Sequence, residues 1–195
     1  MKKVLNTPRL FLGLLILIQF SVPLSMIMGR ERILERGEVY RFVTQPIDPI
    51  DPFQGRYVVI NPQQNFIAGS KAEQSHLTPK QKGYALISTD SEGFAYFSSW
   101  TTVRPAEDDY LQTKIIGSSL TRENGNRIHR GMTIQVPFNR FYMDEMKAPA
   151  AEKLVADASR IGECWVQVRV YEGQAVIENV FVDGMEISEL VDREN

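Results

Sequence analysis

The chain has 195 residues, of which 43% are hydrophobic and 24% charged, with a formal net charge of −2. This length supports one domain with its own core, and this composition excludes a disordered or fibrous protein. Residues 30–195 hold all 24 acidic side chains but 19 of the 22 basic ones, a formal charge of −5. Because nucleic acid is bound by clustered positive charge, we expect no nucleic-acid partner.

The first segment with a clear pattern is apolar and uncharged. Residues 10–28 would form a helix of about 28 Å, close to the roughly 30 Å of a bilayer core. Basic side chains are in greater excess before this segment than after it, which predicts a single-pass anchor with a cytoplasmic N-terminus. A cleaved signal peptide is the competing interpretation, but no good small-x-small pair follows the apolar run. The sequence thus divides into a stub and membrane anchor, residues 1–36, and a β-rich domain in the periplasm or cell exterior, residues 37–195.

A proline-rich stretch follows the first predicted strand of the domain. Pro46, Pro49 and Pro52 fix φ near −65° and favour a stiff, extended connector over a helix. The connector ends at Gly55, and residues 57–60, Tyr-Val-Val-Ile, have the β-branched and aromatic composition of a buried strand. The stretch therefore predicts a rigid approach to a core strand.

The rest of the domain shows mostly the two-residue period of β-strands. Strand patterns cover residues 38–44, 65–68, 84–89, 93–100, 110–117, 132–137, 164–171, 175–182 and 185–187. One helix is predicted after Pro149, with Leu154, Val155, Ala158 and Ile161 on one face and Gly162 at its end. Residues 69–83 are predicted as a polar loop and residues 191–195 as a polar tail. The fold class is therefore a mainly β (β-rich α+β) domain, with an antiparallel curled sheet, barrel- or sandwich-like, one packed helix and an N-terminal transmembrane helix.

The segment DPIDPFQGRYVVI resembles the signature of the GDYXXLXY family, small membrane-anchored bacterial proteins without an established biochemical activity. Gly55 and Tyr57 coincide with the glycine and first tyrosine of that motif. Arg56, Ile60 and Pro62 replace its aspartate, leucine and last tyrosine. The resemblance implies a polytopic membrane protein as partner.

A second block, Arg140-Phe141-Tyr142 with Glu145, is also similar to this family. The resemblance implies that Arg140, Tyr142 and Glu145 belong to a functional surface. Together with the first block, the candidate binding residues are Asp48, Asp51, Gly55, Tyr57, Arg140, Tyr142 and Glu145.

Two groups of carboxylates have a structural interpretation beside the functional one. Asp48 and Asp51, on the stiff connector, could present oxygens to a calcium ion or a partner amine. Capping of nearby backbone N–H groups is the favoured alternative, because aspartate before proline is common in turns. Asp144, Glu145 and Glu152 gather at the start of the predicted helix, where the helix dipole favours negative charge. Arg140 is expected to form an ion pair with one of them.

The sequence predicts no catalytic residue, metal site or cofactor. Cys164 is the single cysteine and falls on the apolar face of its strand, which predicts a buried, inert thiol. His76 and His129 are too isolated for a zinc site of ordinary spacing. The anchor and Ser25 superficially resemble type I signal peptidases, but Ser25 lies inside the apolar segment without the usual flanking residues, which disfavours such a hydrolase.

These observations favour an anchored, non-enzymatic accessory or interaction protein on the outer face of the cytoplasmic membrane. The alternative is a binding module for a small ligand or a cell-envelope polymer. A pocket lined by Tyr57, Trp100, Tyr142 and Trp165 would favour that alternative, whereas a convergent acid-base pair would favour an enzyme.

Overall fold

The computed structural model describes residues 7–45, 57–62, 65–68, 80–106, 109–123, 126–144 and 146–194. These residues form three helices, α1 Thr7–Arg36, α2 Ala148–Ile161 and α3 Ile187–Glu194. They also form the strands β1 Glu38–Gln45, β2 Tyr57–Val59, β3 Asn61–Pro62, β4 Phe66–Ala68, β5 Lys82–Thr89, β6 Ala95–Thr101, β7 Tyr110–Glu123, β8 Asn126–Gln135, β9 Arg140–Tyr142, β10 Cys164–Tyr171, β11 Gln174–Val182 and β12 Met185–Glu186. The predicted mainly β fold with an N-terminal apolar helix is confirmed.

The strands form two five-stranded sheets and one two-stranded ladder, and every described strand pair is antiparallel. The first sheet has the order β12-β11-β10-β1-β3 and the second β4-β8-β7-β5-β6, while β2 pairs with β9. The curled, nearly closed arrangement agrees with the predicted barrel- or sandwich-like sheet.

One apolar core joins the two sheets. The Phe42 ring of β1 lies 5.5 Å from the Phe97 ring of β6 and 5.1 Å from the Phe138 ring, measured between centroids. Along β10 every second residue is buried, as the alternating sequence predicts. Each large apolar side chain so buried contributes about 1.5–3 kcal/mol, which makes this shared core the main source of stability.

Helix α2 begins and ends where the sequence predicts. Pro149 lies in its first turn, and Gly162, with φ of 79°, donates its backbone N–H to the Ala158 carbonyl. The side chains of Ala151, Val155 and Ala158 are buried in the core. The helical spacing therefore identified the face that packs on the sheet.

The C-terminus differs from the sequence-based expectation. The predicted polar tail, residues 191–195, is wrong, because α3 runs from Ile187 to Glu194 and buries Ile187 and Val191 completely. The predicted strand 185–187 accordingly ends at Glu186. Two apolar residues one helical turn apart give too short a pattern to distinguish a helix from a tail.

The second sheet contains a long hairpin, β7 and β8, whose strands extend beyond the predicted strand patterns. Strand β7 continues to Glu123, beyond residues 110–117, and pairs with β8 as far as Glu123 opposite Asn126. Residues 124–125, between these two strands, lie outside the described residues. The predicted loop 69–83 ends earlier than expected, because β5 begins at Lys82, while its residues 69–79 are not described.

Candidate functional site

The two family-like blocks meet in space. Tyr57 in β2 pairs directly with Tyr142 in β9, and Val59 pairs with Arg140. The blocks are more than 80 residues apart in the sequence, yet they form one antiparallel ladder. Backbone pairing thus brings together three predicted site residues, Tyr57, Arg140 and Tyr142. The other four, Asp48, Asp51, Gly55 and Glu145, lie outside the described residues.

A cleft of about 470 Å³ adjoins this ladder, and we call it the Arg30 cleft. Its walls are Arg30 of α1, residues 137–142 around β9, and residues 175–178 of β11. The Arg30 guanidinium carbon lies 5.9 Å from the centre of the Tyr142 ring, a cation–π distance. Tyr142 keeps 55% of its surface exposed, so its ring is available to a further molecule.

The cleft wall opposite β9 is formed by β11 and carries the carboxylate of Glu178, which side chains of β10 hold by hydrogen bonds. Glu178 accepts hydrogen bonds from Arg169 Nε at 2.8 Å and Arg169 Nη2 at 3.0 Å, and from Gln167 Nε2 at 2.8 Å. The Arg169 guanidinium, and to a lesser extent Gln167, hold the pKa of Glu178 below its usual value against the opposing effect of burial. Glu178 is therefore charge-compensated by Arg169, and Arg30 and Arg140 also line the cleft.

A β-bulge explains why Glu178 meets both partners. Gln167 pairs with Asn179 and Val168 with Ile177, so Glu178 is the extra residue between two ladder positions. A bulge redirects the side chain of its extra residue and bends the strand locally. Arg30 and Glu178 were not predicted as cleft residues, because the bulge at Glu178 has no signal in the alternating pattern of β11 and Arg30 lies outside both motif blocks.

The junction between α1 and β1 fixes the helix on the domain. The side chain of Ile33 is 6% exposed, and the Gly37 N–H donates to the Ile33 carbonyl at 2.8 Å. Arg169 Nη1 donates to the Gly37 carbonyl at 3.2 Å. A side chain at Gly37 would place Cβ 2.4 Å from the Ile33 carbonyl oxygen and 3.1 Å from the Val170 backbone. Only glycine fits this closely packed junction.

The side chains of residues 11–28, the apolar part of α1, are all exposed. By length and composition, it is a helix able to cross a membrane, with a mean hydropathy of 2.2 in its most apolar window. Arg30 follows Met28 by two residues, about 3 Å along a helix. The Arg30 cleft therefore lies directly at the end of the apolar segment.

The aromatic pocket considered in the sequence analysis does not assemble around the cleft. Trp165 of β10 stacks on Phe181 with ring centres 4.0 Å apart. The guanidinium carbon of Arg41 lies 5.3 Å from the centre of the Trp165 ring. Trp100 of β6 packs over Gly83. Neither tryptophan lines the Arg30 cleft.

The remaining predicted groups have local structural roles. Asp144 Oδ1 accepts the Met146 N–H at 2.9 Å, and the Asp144 carbonyl accepts the N–H groups of Lys147 and Ala148, which organises the turn before α2. Ser25 Oγ donates to the Val22 carbonyl at 2.7 Å within α1. No group of three or more metal-ligating side chains occurs among the described residues.

Cys164 is completely buried, as predicted. Burial raises the pKa of its thiol, and hydrogen bonding to Thr44 and Ser159 offsets only part of that effect. The hydroxyls of Thr44 and Ser159 are 2.8 Å apart, and Thr44 Oγ1 donates to the Cys164 carbonyl at 3.1 Å. This cluster satisfies buried polar groups and links β1, α2 and β10.

Comparison with known proteins gives one assignment. No curated protein and no solved structure matches the chain. The model of the GDYXXLXY protein family matches residues 19–180, which include the second half of α1, both motif blocks and all three walls of the Arg30 cleft, and the chain therefore belongs to the GDYXXLXY protein family.

Proposed function

We propose that this protein is a membrane-anchored accessory protein whose domain lies outside the cytoplasm and docks on a polytopic membrane protein through the Arg30 cleft. One observation carries the proposal: α1 and β9, the strand that pairs with β2, both contribute to a cleft at the end of the apolar segment. A partner that reaches this cleft has to be at the membrane surface.

Close packing at the base of the helix supports docking at a defined height. Ile33 is buried against the domain, and Gly37 packs so closely between Ile33 and Val170 that no side chain fits there. Since the domain is held close to the bilayer, a membrane protein can contact α1 and the cleft at the same time. Both contacts then contribute to the affinity of one complex.

The composition of the cleft suits a protein surface. Tyrosine and arginine are enriched in interface hot spots, and the cleft combines exposed Tyr142 with Arg30 and Arg140. The apolar side chains of residues 11–28 are exposed in the described chain, so we expect lipid or a second transmembrane helix to cover them.

Site-specific photocrosslinking in native membranes tests this proposal with the full chain. A photoreactive phenylalanine analogue at Tyr142 keeps an aromatic ring beneath Arg30 and should form a discrete adduct with a polytopic membrane protein. The matched control carries the analogue at Tyr96, which is 39% exposed on β6 and does not line the cleft. Absence of an adduct at Tyr142, or equal adducts at both positions, would contradict docking through the cleft.

A further inference from the structure

Two lysines face each other directly on the second sheet. Lys82 of β5 pairs with Lys114 of β7, which in turn pairs with Gln135 of β8. Paired residues of neighbouring strands project from the same face of a sheet. Lys82, Lys114 and Gln135 therefore form one row across the sheet, and all three are exposed. Thr113 and Ile115, which flank Lys114, are buried, so the row lies on the outer face of the sheet.

The hydrogen-bond pattern makes this lysine pair a close one. The Ile115 N–H donates to the Gln81 carbonyl at 3.0 Å, so Gln81 and Ile115 are a hydrogen-bonded pair. The adjacent pair, Lys82 and Lys114, is then of the non-hydrogen-bonded kind, in which Cα atoms approach to about 4.5 Å. Like charges directly opposite each other destabilise a sheet. Within the described ranges, neither ammonium group forms an ion pair with a carboxylate.

A groove of about 450 Å³ contains this pair, and we call it the lysine groove. Its polar lining comprises Lys82, Lys114, Gln112, Gln135, Thr102, Thr113 and Tyr84. These side chains supply ammonium, amide and hydroxyl donors, and no acidic residue is present in the described lining. Pro137 contributes to both the lysine groove and the Arg30 cleft, so the two sites are neighbours.

We propose that the lysine groove binds an anionic oxygen group, a phosphate or a carboxylate, carried by a ligand. An anion between the two ammonium groups replaces their mutual repulsion with two attractive contacts, and the amides of Gln112 and Gln135 donate further hydrogen bonds. Charge-assisted hydrogen bonds of this kind are stronger than those between neutral groups. The proposal is independent of docking through the Arg30 cleft.

Substitution of either groove lysine should have opposite effects on stability and on anion binding. Lys114→Gln removes the repulsion and should raise the melting temperature of the full chain in the absence of anion. The same substitution should weaken binding of inorganic phosphate by about tenfold, the equivalent of one lost charge-assisted contact. Lys82→Gln should behave in the same way. Lys153→Gln, at an exposed lysine on α2, is the matched control and should change neither quantity.

The experiment measures thermal unfolding and phosphate titration of the full chain in phosphatidylcholine nanodiscs, with chloride at equal ionic strength as reference. Phosphate stabilisation that is lost in both groove variants and kept in Lys153→Gln supports a soluble ligand. Stabilisation that appears only in phosphatidylglycerol nanodiscs and depends on the same lysines identifies a lipid headgroup as its source. Equal anion effects in wild type and groove variants, or no effect of either source, overturn the proposal.

Discussion

At the scale of single residues, burial decides the chemistry of Cys164. Its side chain has no exposed surface, and burial raises the pKa of the thiol, so the reactive thiolate is scarce at neutral pH. We expect no reaction of the folded protein with a disulfide reagent and reaction of one thiol per chain after unfolding in guanidinium. Val103→Cys, at a position 73% exposed, is the control and should react at once. Rapid labelling of the unmodified folded chain would contradict the buried position.

Glu178 provides a prediction for the pH dependence of stability. Hydrogen bonding from Arg169 lowers the pKa of Glu178 in the folded chain relative to the unfolded chain. Its contribution to stability is therefore complete above the unfolded pKa, near 4.3, and is lost as the pH falls through the lower folded pKa.

Glu178→Gln should lower the free energy of unfolding by about 1 kcal/mol at neutral pH, the upper range for a partly exposed pair with two contacts. The difference from wild type should shrink as the pH falls below about 4. Denaturant unfolding at several pH values measures it, with exposed Glu189→Gln as control. A difference that is independent of pH would show that the ion pair does not contribute.

At the scale of elements, the local sequence pattern predicted the helices and strands in which buried positions recur regularly over several turns or residues. Strand β10 alternates over its whole length, and α2 has a proline at its start and a glycine at its end. Pairing between β2 and β9 is different, because it joins residues 57–59 to residues 140–142. Three-residue strands carry too little pattern to name a distant partner, so the geometry of the candidate site could not be predicted, although Arg140 and Tyr142 were identified by family resemblance.

Helix α3 was missed because its sequence, ISELVDRE, is polar apart from one short apolar face. That face becomes informative only when α2 is present to cover it, and Lys147 before α2 forms an ion pair with Asp192 of α3. Tertiary packing rather than helix propensity therefore stabilises this element.

Val191→Ala should lower the free energy of unfolding by about 1–3 kcal/mol, because it leaves a cavity at a fully buried position. Glu189→Ala, on the exposed side of the same helix, removes a side chain without a cavity and should change stability by less than about 0.5 kcal/mol. Equilibrium unfolding in denaturant compares the two. Equal effects would mean that α3 does not pack on the domain in solution.

At the scale of the whole molecule, the distribution of basic residues around the apolar helix predicts an orientation. Lys2, Lys3 and Arg9 precede the apolar segment, while the domain beyond it has an excess of acidic residues. Basic residues are retained on the cytoplasmic side, so the domain should be translocated. The family match and the apolar helix fit a membrane-anchored protein, and the side of the membrane on which the domain lies is the quantity to measure.

Cysteine labelling can determine this orientation because the native thiol of Cys164 is buried and stays silent. In spheroplasts, a membrane-impermeant maleimide should label full-length Val103→Cys, and it should label Lys3→Cys only after the membrane is permeabilised. Reversed accessibility would place the domain in the cytoplasm and contradict the proposed function. Loss of the Lys3→Cys label from the mature chain would identify a cleaved signal peptide, and the domain would then reach the membrane only through a partner. Retention of both labels with the expected accessibility leaves one arrangement, in which α1 spans the bilayer and holds the Arg30 cleft at its outer surface.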